Sequence, residues 1–133
     1  MLVNADFETT AIGPDGVTCE ITVTPSLTNN FKTLHGGVTA TLVDVVGTLA
    51  LLGKNPTRPG VSVEMNQSYC AAAKEGERLV LTGEVLKYGK TLGFTSVVVR
   101  GPPKEDGSPG RIIATGRHTK FLDVGGGTSQ PKA

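Results

Sequence analysis

The longest apolar stretch of the chain covers residues 36–52 and contains a single charged residue, Asp44. It is too long for a typical strand. With its central charge it is also too short for a membrane span, which needs roughly 20 predominantly apolar residues. Valine and threonine are common in it, but they lower helix propensity only slightly. A helix that is apolar on every side is a buried helix. The pattern therefore predicts a central helix over 36–52, wrapped by a sheet.

Alternating apolar and polar residues predict strands on both sides of this helix. Before it, residues 2–12 and 17–25 are two predicted strands joined at the turn Pro14-Asp15-Gly16. After it, short polar or Gly- and Pro-containing links separate four more predicted strands, 61–73, 77–88, 91–101 and 111–122. Strands in series with short links favour an antiparallel sheet. The predicted fold class is α+β, with one long central helix wrapped by an antiparallel β-sheet.

The length of the chain and the composition of its end predict a simple domain organisation. A chain of 133 residues has the size of one domain, and we assign that domain to residues 1–122. Residues 123–133 are rich in glycine and have no apolar pattern. We therefore expect a flexible C-terminal tail over these last residues.

Composition argues against several classes of function. The net charge is +1 and tryptophan is absent, so the clustered basic excess and aromatic platforms of nucleic-acid-binding proteins are missing. Two cysteines are too few for a disulfide scaffold, and no signal peptide precedes the first strand. This combination predicts an intracellular protein, either cytoplasmic or mitochondrial. Since the histidines and cysteines match no metal-site spacing, we expect no metal. The short, centrally charged apolar stretch is not expected to span a membrane, and we expect no organic cofactor.

Candidate chemistry begins at the start of the predicted helix, where His35 precedes Gly36 and Gly37. The first N–H groups of a helix lack partners within it and lie at the positive end of its dipole. They can therefore bind a carbonyl oxygen that develops negative charge. Glycine lets a substrate approach closely, which makes Gly37 a candidate substrate-binding residue beside Gly36. Tight packing of the helix end and a hydrogen-bonded loop histidine are the plainer interpretations of these residues.

Asp44 favours the functional interpretation. Removing a carboxylate from water costs several kcal/mol unless the charge is paired or functional. Asp44 follows Gly36 by about 12 Å along a helix that rises 1.5 Å per residue, so one chain cannot bring both to one reacting carbon. Two antiparallel copies of the helix, side by side across a two-fold axis, can do so. The sequence therefore predicts a homodimer with two shared sites.

The segments around this helix resemble the hotdog-fold acyl-CoA thioesterases, and within them the phenylacetyl-CoA thioesterase-like branch. The resemblance covers residues 17–122, with motifs in the same order and at matching spacings. The matching segments are 29–44 with its His35-Gly36-Gly37, 59–66 with its Ser62, 85–96 and 114–120. No Gly-x-Ser-x-Gly elbow surrounds Ser62, so a serine-nucleophile hydrolase is not expected.

The resemblance implies a role for each matching site residue. The Asn29 side chain and the Gly36 backbone N–H would form an oxyanion hole for the thioester carbonyl. Asp44 of the neighbouring subunit would activate a water molecule or attack as a nucleophile. Ser62 would orient that water, and His35 would hold the loop or the thioester in place.

The implied reaction is hydrolysis of a medium-chain, long-chain or aryl acyl-CoA to the free acid and CoA, by a homodimer that pairs again into a homotetramer. Two alternatives stay open at this point. One is a hotdog hydratase or dehydratase with His35 as the base, and the other is a non-catalytic acyl-CoA-binding protein. Five basic residues are predicted to be ordinary solvated side chains, with binding of CoA phosphates as the alternative: Lys87, Lys90, Arg111, Arg117 and Lys120.

Overall fold

The computed structural model describes residues 6–123. One long helix, α1 (Gly36–Leu52), packs against one face of a six-stranded sheet, and a short 3-10 turn (Pro25–Leu27) precedes it. The strands are β1 (Phe7–Gly13), β2 (Gly16–Thr22), β3 (Val61–Tyr69), β4 (Arg78–Tyr88), β5 (Leu92–Arg100) and β6 (Ile112–Phe121). Their order is β1-β2-β4-β5-β6-β3, and every neighbouring pair is antiparallel. The predicted helix and the α+β class are confirmed.

The predicted strand ends differ from the observed ones mainly after β3, which ends at Tyr69 rather than at residue 73. The next residues leave the ladder because they hold a neighbouring loop instead, with Leu34 N donating to Ala73 O at 2.8 Å. Residues 2–5 of the first predicted strand lie outside the described residues. The predicted tail also lies outside them, apart from Asp123, which forms an ion pair with Arg58.

The core lies between α1 and the sheet and follows the alternation of the strands. Inward side chains of β2, β4 and β5, among them Ile21, Leu81 and Val97, pack against one side of α1. On the helix, Leu42 and Val46 are fully buried in this contact. Burying one such side chain contributes about 1.5–3 kcal/mol. Within residues 6–123, no helix is both long enough and apolar enough to cross a membrane.

The expectation that α1 is buried on every side is wrong for the described chain. The sheet covers only one side of the helix, and the opposite row of side chains is partly exposed, including Ala40, Thr41, Val45, Thr48 and Leu49. Within residues 6–123 the elements that make the main contacts with α1 are all strands of the sheet. An apolar helix face of this kind is therefore free to contact another molecule.

Glycines set the distance between α1 and the sheet. At Gly47 of the helix and at three strand glycines, an added Cβ would lie 2.7–2.9 Å from a side-chain atom across the interface: Gly83, Gly93 and Gly116. Real Cβ atoms do not approach so closely, so a larger residue would push the layers apart. The helix therefore lies unusually close to the strands beneath it.

β3 is an edge strand and differs from the others in its burial. Most of its residues are exposed, on both faces, and Val63 and Tyr69 each keep 58% of their surface accessible. An edge strand presents unpaired backbone groups, and apolar side chains on it favour pairing with another chain. β3 therefore offers an edge at which a second copy could continue the sheet.

Candidate active site

Asn29 lies at the centre of a tight turn before α1. Its Oδ1 accepts hydrogen bonds from Phe31 N at 2.9 Å, Thr33 N at 3.2 Å and Thr33 Oγ1 at 3.1 Å. Lys32 in this turn has φ of 60°, a conformation that non-glycine residues rarely adopt. Because Oδ1 is fully used by the turn, the amide is fixed in orientation. Its Nδ2 has no acceptor within residues 6–123 and is therefore free to donate.

The N-terminus of α1 supplies the second donor of this region. His35 is the N-cap, and its Nδ1 accepts from Gly37 N at 2.9 Å. The Gly36 N–H has no acceptor among the described residues, whereas the Gly37 N–H is engaged by His35. A neutral His35 whose Nδ1 accepts carries its proton on Nε2. We call Asn29 Nδ2 and Gly36 N the donor half-site.

Tyr69, at the end of β3, packs on Gly36 and was not singled out from the sequence. Its hydroxyl donates to Gly36 O at 3.3 Å, and its ring and hydroxyl lie 3.6–3.9 Å from the position of a Cβ on Gly36. Those distances are ordinary van der Waals contacts, and the φ of Gly36 is not positive. Packing and backbone strain within the described chain therefore do not require glycine at position 36.

A second group of polar residues lies further along α1. His118 Nε2 is 2.6 Å from Ser62 Oγ and 3.7 Å from Asp44 Oδ1. Asp44 keeps 50% of its side chain exposed. The expected full burial of this carboxylate is therefore wrong for the single chain, because no other element within residues 6–123 covers this margin of α1. We call Asp44, Ser62 and His118 the carboxylate half-site.

A β-bulge at Val63 determines which way Ser62 faces. Ser62 pairs with Lys120 and Met65 pairs with His118, with the register shift between Ser62 and Glu64. In a regular strand, Ser62 and Met65 would point to opposite faces, because side chains alternate with a period of two. The extra residue places both on the face that meets α1. This orientation brings the Ser62 hydroxyl within hydrogen-bond distance of His118.

The carboxylate half-site is not a Ser-His-Asp triad. In a triad the serine and the aspartate occupy different ring nitrogens of the histidine. Here both face Nε2 of His118, while its Nδ1 is buried beneath α1 beside Gly47. Burial lowers the pKa of His118, and the Asp44 carboxylate partly offsets that effect. A neutral imidazole therefore holds the Ser62 hydroxyl beside the Asp44 carboxylate.

His118 had no role assigned from the sequence, although a signal was present. It alternates with Gly116 and Lys120 on the face of β6 that meets α1, and a polar residue on such a face is uncommon unless it has partners. The side chain is fully buried.

The prediction that Lys120 is solvated is wrong. It is 6% exposed and donates to Thr48 Oγ1 at 2.8 Å. Burial lowers the pKa of Lys120, and the charge of Asp44 raises it in part. The side chain is buried because position 120 faces α1, where the long aliphatic stem lies under the helix.

The structure thus groups the predicted residues into two sets. His35 and Gly36 form the start of α1, and Asn29 lies in the turn just before them. Asp44 and Ser62 both approach His118, about 12 Å further along the helix axis. No single reacting carbon can contact both sets of one chain. The roles assigned to these residues stay predictions.

Comparisons with known proteins agree with this architecture. The sequence model of the Thioesterase superfamily matches residues 31–107. Human acyl-coenzyme A thioesterase 13 is 51% identical over 109 residues, which cover 82% of this chain and 74% of the human protein. The crystal structure of zebra fish thioesterase superfamily member 2 superposes with a TM-score of 0.79 at 46% identity, covering 87% of this chain and 80% of that one.

The fold extends to more distant proteins. A hypothetical thioesterase from Streptococcus pneumoniae, crystallised with coenzyme A, has a TM-score of 0.79 at 23% identity and covers 91% of this chain and 90% of its own. At that identity the likeness concerns the fold alone. Together with the family match and the human relative, these findings show that the chain has the hotdog fold and belongs to the thioesterase superfamily.

Proposed function

We propose that the protein hydrolyses acyl-CoA thioesters in active sites shared between two subunits. The observation that carries this proposal is the separation of the donor half-site from the carboxylate half-site on one chain. Two antiparallel copies would bring the donor half-site of one subunit against the carboxylate half-site of the other. The partly exposed face of α1 and the open edge of β3 supply the apolar surface for such a dimer. Two such dimers then pair into the predicted homotetramer.

The proposed chemistry follows from the free groups of each half-site. Asn29 Nδ2 and the Gly36 N–H donate to the thioester carbonyl and stabilise its oxygen as negative charge develops. Asp44 of the second subunit removes a proton from water, which attacks the carbonyl carbon. The tetrahedral intermediate then collapses, the C–S bond breaks, and the CoA thiolate leaves and is protonated. Ser62, held by His118, orients the attacking water.

The acyl group of the proposed substrate is apolar. Beyond Asp44, the partly exposed face of α1 carries Val45, Leu49 and Leu52, which can line an acyl channel in the dimer. Such a lining suits a medium-chain, long-chain or aryl acyl group.

The geometry argues against a hydratase with His35 as the base. A general base needs a free ring nitrogen without a proton. The Nδ1 of His35 already accepts from Gly37 N, and the Nε2 of the neutral ring carries the proton. His35 is therefore a hydrogen-bond donor toward a ligand, which suits the role of holding a thioester.

The direct test is release of free CoA thiol from a panel of phenylacetyl-, octanoyl- and palmitoyl-CoA. We expect the rate of thiol release to rise linearly with enzyme concentration. The highest kcat/KM should be found for the acyl group that fits the channel. Hydration of an enoyl-CoA without thiol release would contradict the proposal in favour of a hydratase. Tight binding without turnover would contradict it in favour of a binding protein.

Replacing Gly36 by alanine should separate activity from stability. The new Cβ meets only the Tyr69 ring at ordinary distances, and alanine has the better helix propensity, so the free energy of unfolding should stay equal or rise by about 0.5–1 kcal/mol. The methyl group would displace the carbonyl from the N–H, and we expect kcat/KM to fall about 100-fold. Thermal unfolding and thiol release measure the two effects.

Gly13→Ala is the matched control for this substitution. An added Cβ at Gly13 meets nothing within 4 Å, and its φ is not positive. Both stability and activity should therefore stay near those of the wild type. Unchanged kcat/KM in Gly36→Ala would remove Gly36 from the proposed oxyanion hole.

A further inference from the structure

Gln67 lies between the two half-sites on the face of β3 that meets α1. Side chains two residues apart share a face of a strand, and the row on this face is Met65, Gln67 and Tyr69. Met65 pairs with His118 of the carboxylate half-site. Tyr69 contacts Gly36 of the donor half-site. Any ligand that extends along α1 from one half-site toward the other therefore passes Gln67.

The Gln67 side chain has an unused acceptor. Its Oε1 is buried and has no hydrogen-bond partner within residues 6–123. Its neighbours on the opposite face are paired with each other, since Asn66 Nδ2 donates to Glu64 Oε2 at 2.9 Å. A buried acceptor without a donor is unfavourable in the free protein. An apolar residue of the same length would avoid that cost, so the position points to a donor from outside the chain.

We propose that Gln67 is a substrate-specificity residue, whose Oε1 accepts a hydrogen bond from an N–H or O–H group of the bound acyl-CoA near its thioester. The proposal rests on the proposed function, because it takes the carbonyl to be bound at Gly36. Gln67 is about 7 Å along the strand from Tyr69, which contacts Gly36. Two neutral donors of such a ligand lie in this range, the first amide N–H of the pantetheine arm and a hydroxyl on C3 of the acyl chain.

Two matched pairs of small thioesters distinguish the sources of the donor. The first pair is the hexanoyl thioester of N-acetylcysteamine and that of 2-mercaptoethyl acetate, in which an oxygen replaces the amide N–H. The second pair is 3-hydroxyhexanoyl-CoA and hexanoyl-CoA. Within each pair, only the donor changes.

The variants to compare are Gln67→Met, which removes the acceptor at similar length, and Gln67→Glu, which keeps an oxygen at the same place. We expect Gln67→Met to lower kcat/KM about tenfold for the donor-bearing member of one pair and less than about twofold for its mate. Gln67→Glu should retain the discrimination within that pair. Equal losses for both members of both pairs would overturn the proposal.

Thermal unfolding without ligand supplies a second readout. Because Gln67→Met removes an unpaired acceptor, its melting temperature should be equal to or above that of the wild type. A lower melting temperature together with subunit dissociation would assign the acceptor to the second subunit and overturn the proposal. If the wild type hydrolyses no thioester, the proposed function fails by itself. Dissociation constants for the same pairs, measured by calorimetry, then test Gln67 in the same way.

Discussion

Replacing Asp44 by asparagine is expected to lower kcat/KM for acyl-CoA hydrolysis about 1000-fold, equivalent to roughly 4 kcal/mol of transition-state stabilisation. The amide has nearly the shape of the carboxylate but cannot take a proton from water. The Asp44 side chain is half exposed, and its Oδ1 lies 3.7 Å from His118 Nε2, beyond hydrogen-bond distance. The folded state should therefore tolerate the change. Thiol release and circular dichroism on the same preparation measure activity and fold.

Asp15→Asn is the matched control, because Asp15 is an exposed residue in the turn between β1 and β2, and β1 lies at the sheet edge opposite β3, which carries Ser62. It should keep wild-type activity. If Asp44→Asn kept more than about a tenth of wild-type kcat/KM, Asp44 would be a structural residue. A single turnover in ¹⁸O-labelled water should leave the wild-type Asp44 carboxylate unlabelled, whereas label in that carboxylate would identify direct attack by Asp44.

Combining two inactive variants in one dimer is expected to restore activity. Asn29→Asp keeps the Oδ1 that holds the turn and removes the Nδ2 donor, whereas Asp44→Asn disables the other half-site. In a heterodimer, one site receives both substitutions and the other receives neither. Co-expression with two affinity tags and purification on both should give about half of wild-type kcat, against a loss of 100-fold or more in each parent.

The matched control pairs Asp44→Asn with Ser62→Ala. Both residues belong to the carboxylate half-site, so each site of that heterodimer carries one defect. Its activity should stay near that of the parents. If the first heterodimer also stayed inactive while mass spectrometry confirmed its composition, the sites would lie within single chains and the shared-site proposal would be wrong.

Local pattern was sufficient to predict the main elements of the fold. The apolar run from Gly36 to Leu52 predicted α1 with the bounds observed, because its length excludes a strand and its glycines and polar loop mark the start. The pairing of β3 with β6 at the sheet edge was not predictable in the same way. Strand order depends on which surfaces meet in three dimensions, and no local residue pattern encodes it.

The site was predictable by residue type but not by arrangement. The direction of Ser62 depends on the bulge at Val63, whose position follows from pairing with β6 rather than from a local signal. Lys120 was predicted to be solvated because basic side chains are mostly exposed. In the structure it is buried and donates to Thr48 on α1 instead. His118 could be recognised as a site residue only from its contact with Ser62, which is distant in sequence. Gln67 could be recognised only because its buried Oε1 has no partner among the described residues.

The close packing of α1 against glycines restricts the positions at which substitutions could change the acyl specificity of this protein. Gly47, Gly83 and Gly116 leave no room for a side chain beneath the helix. A larger residue at one of these positions would push the helix away from the sheet and move Asp44 away from Ser62. A substitution beneath the helix that reshaped the acyl channel would therefore also impair hydrolysis. Within one chain, substitutions at the open side of α1, at Val45 or Leu52, do not push the helix away from the sheet. Divergence in substrate length should therefore accumulate on that outer row while the glycines stay unchanged.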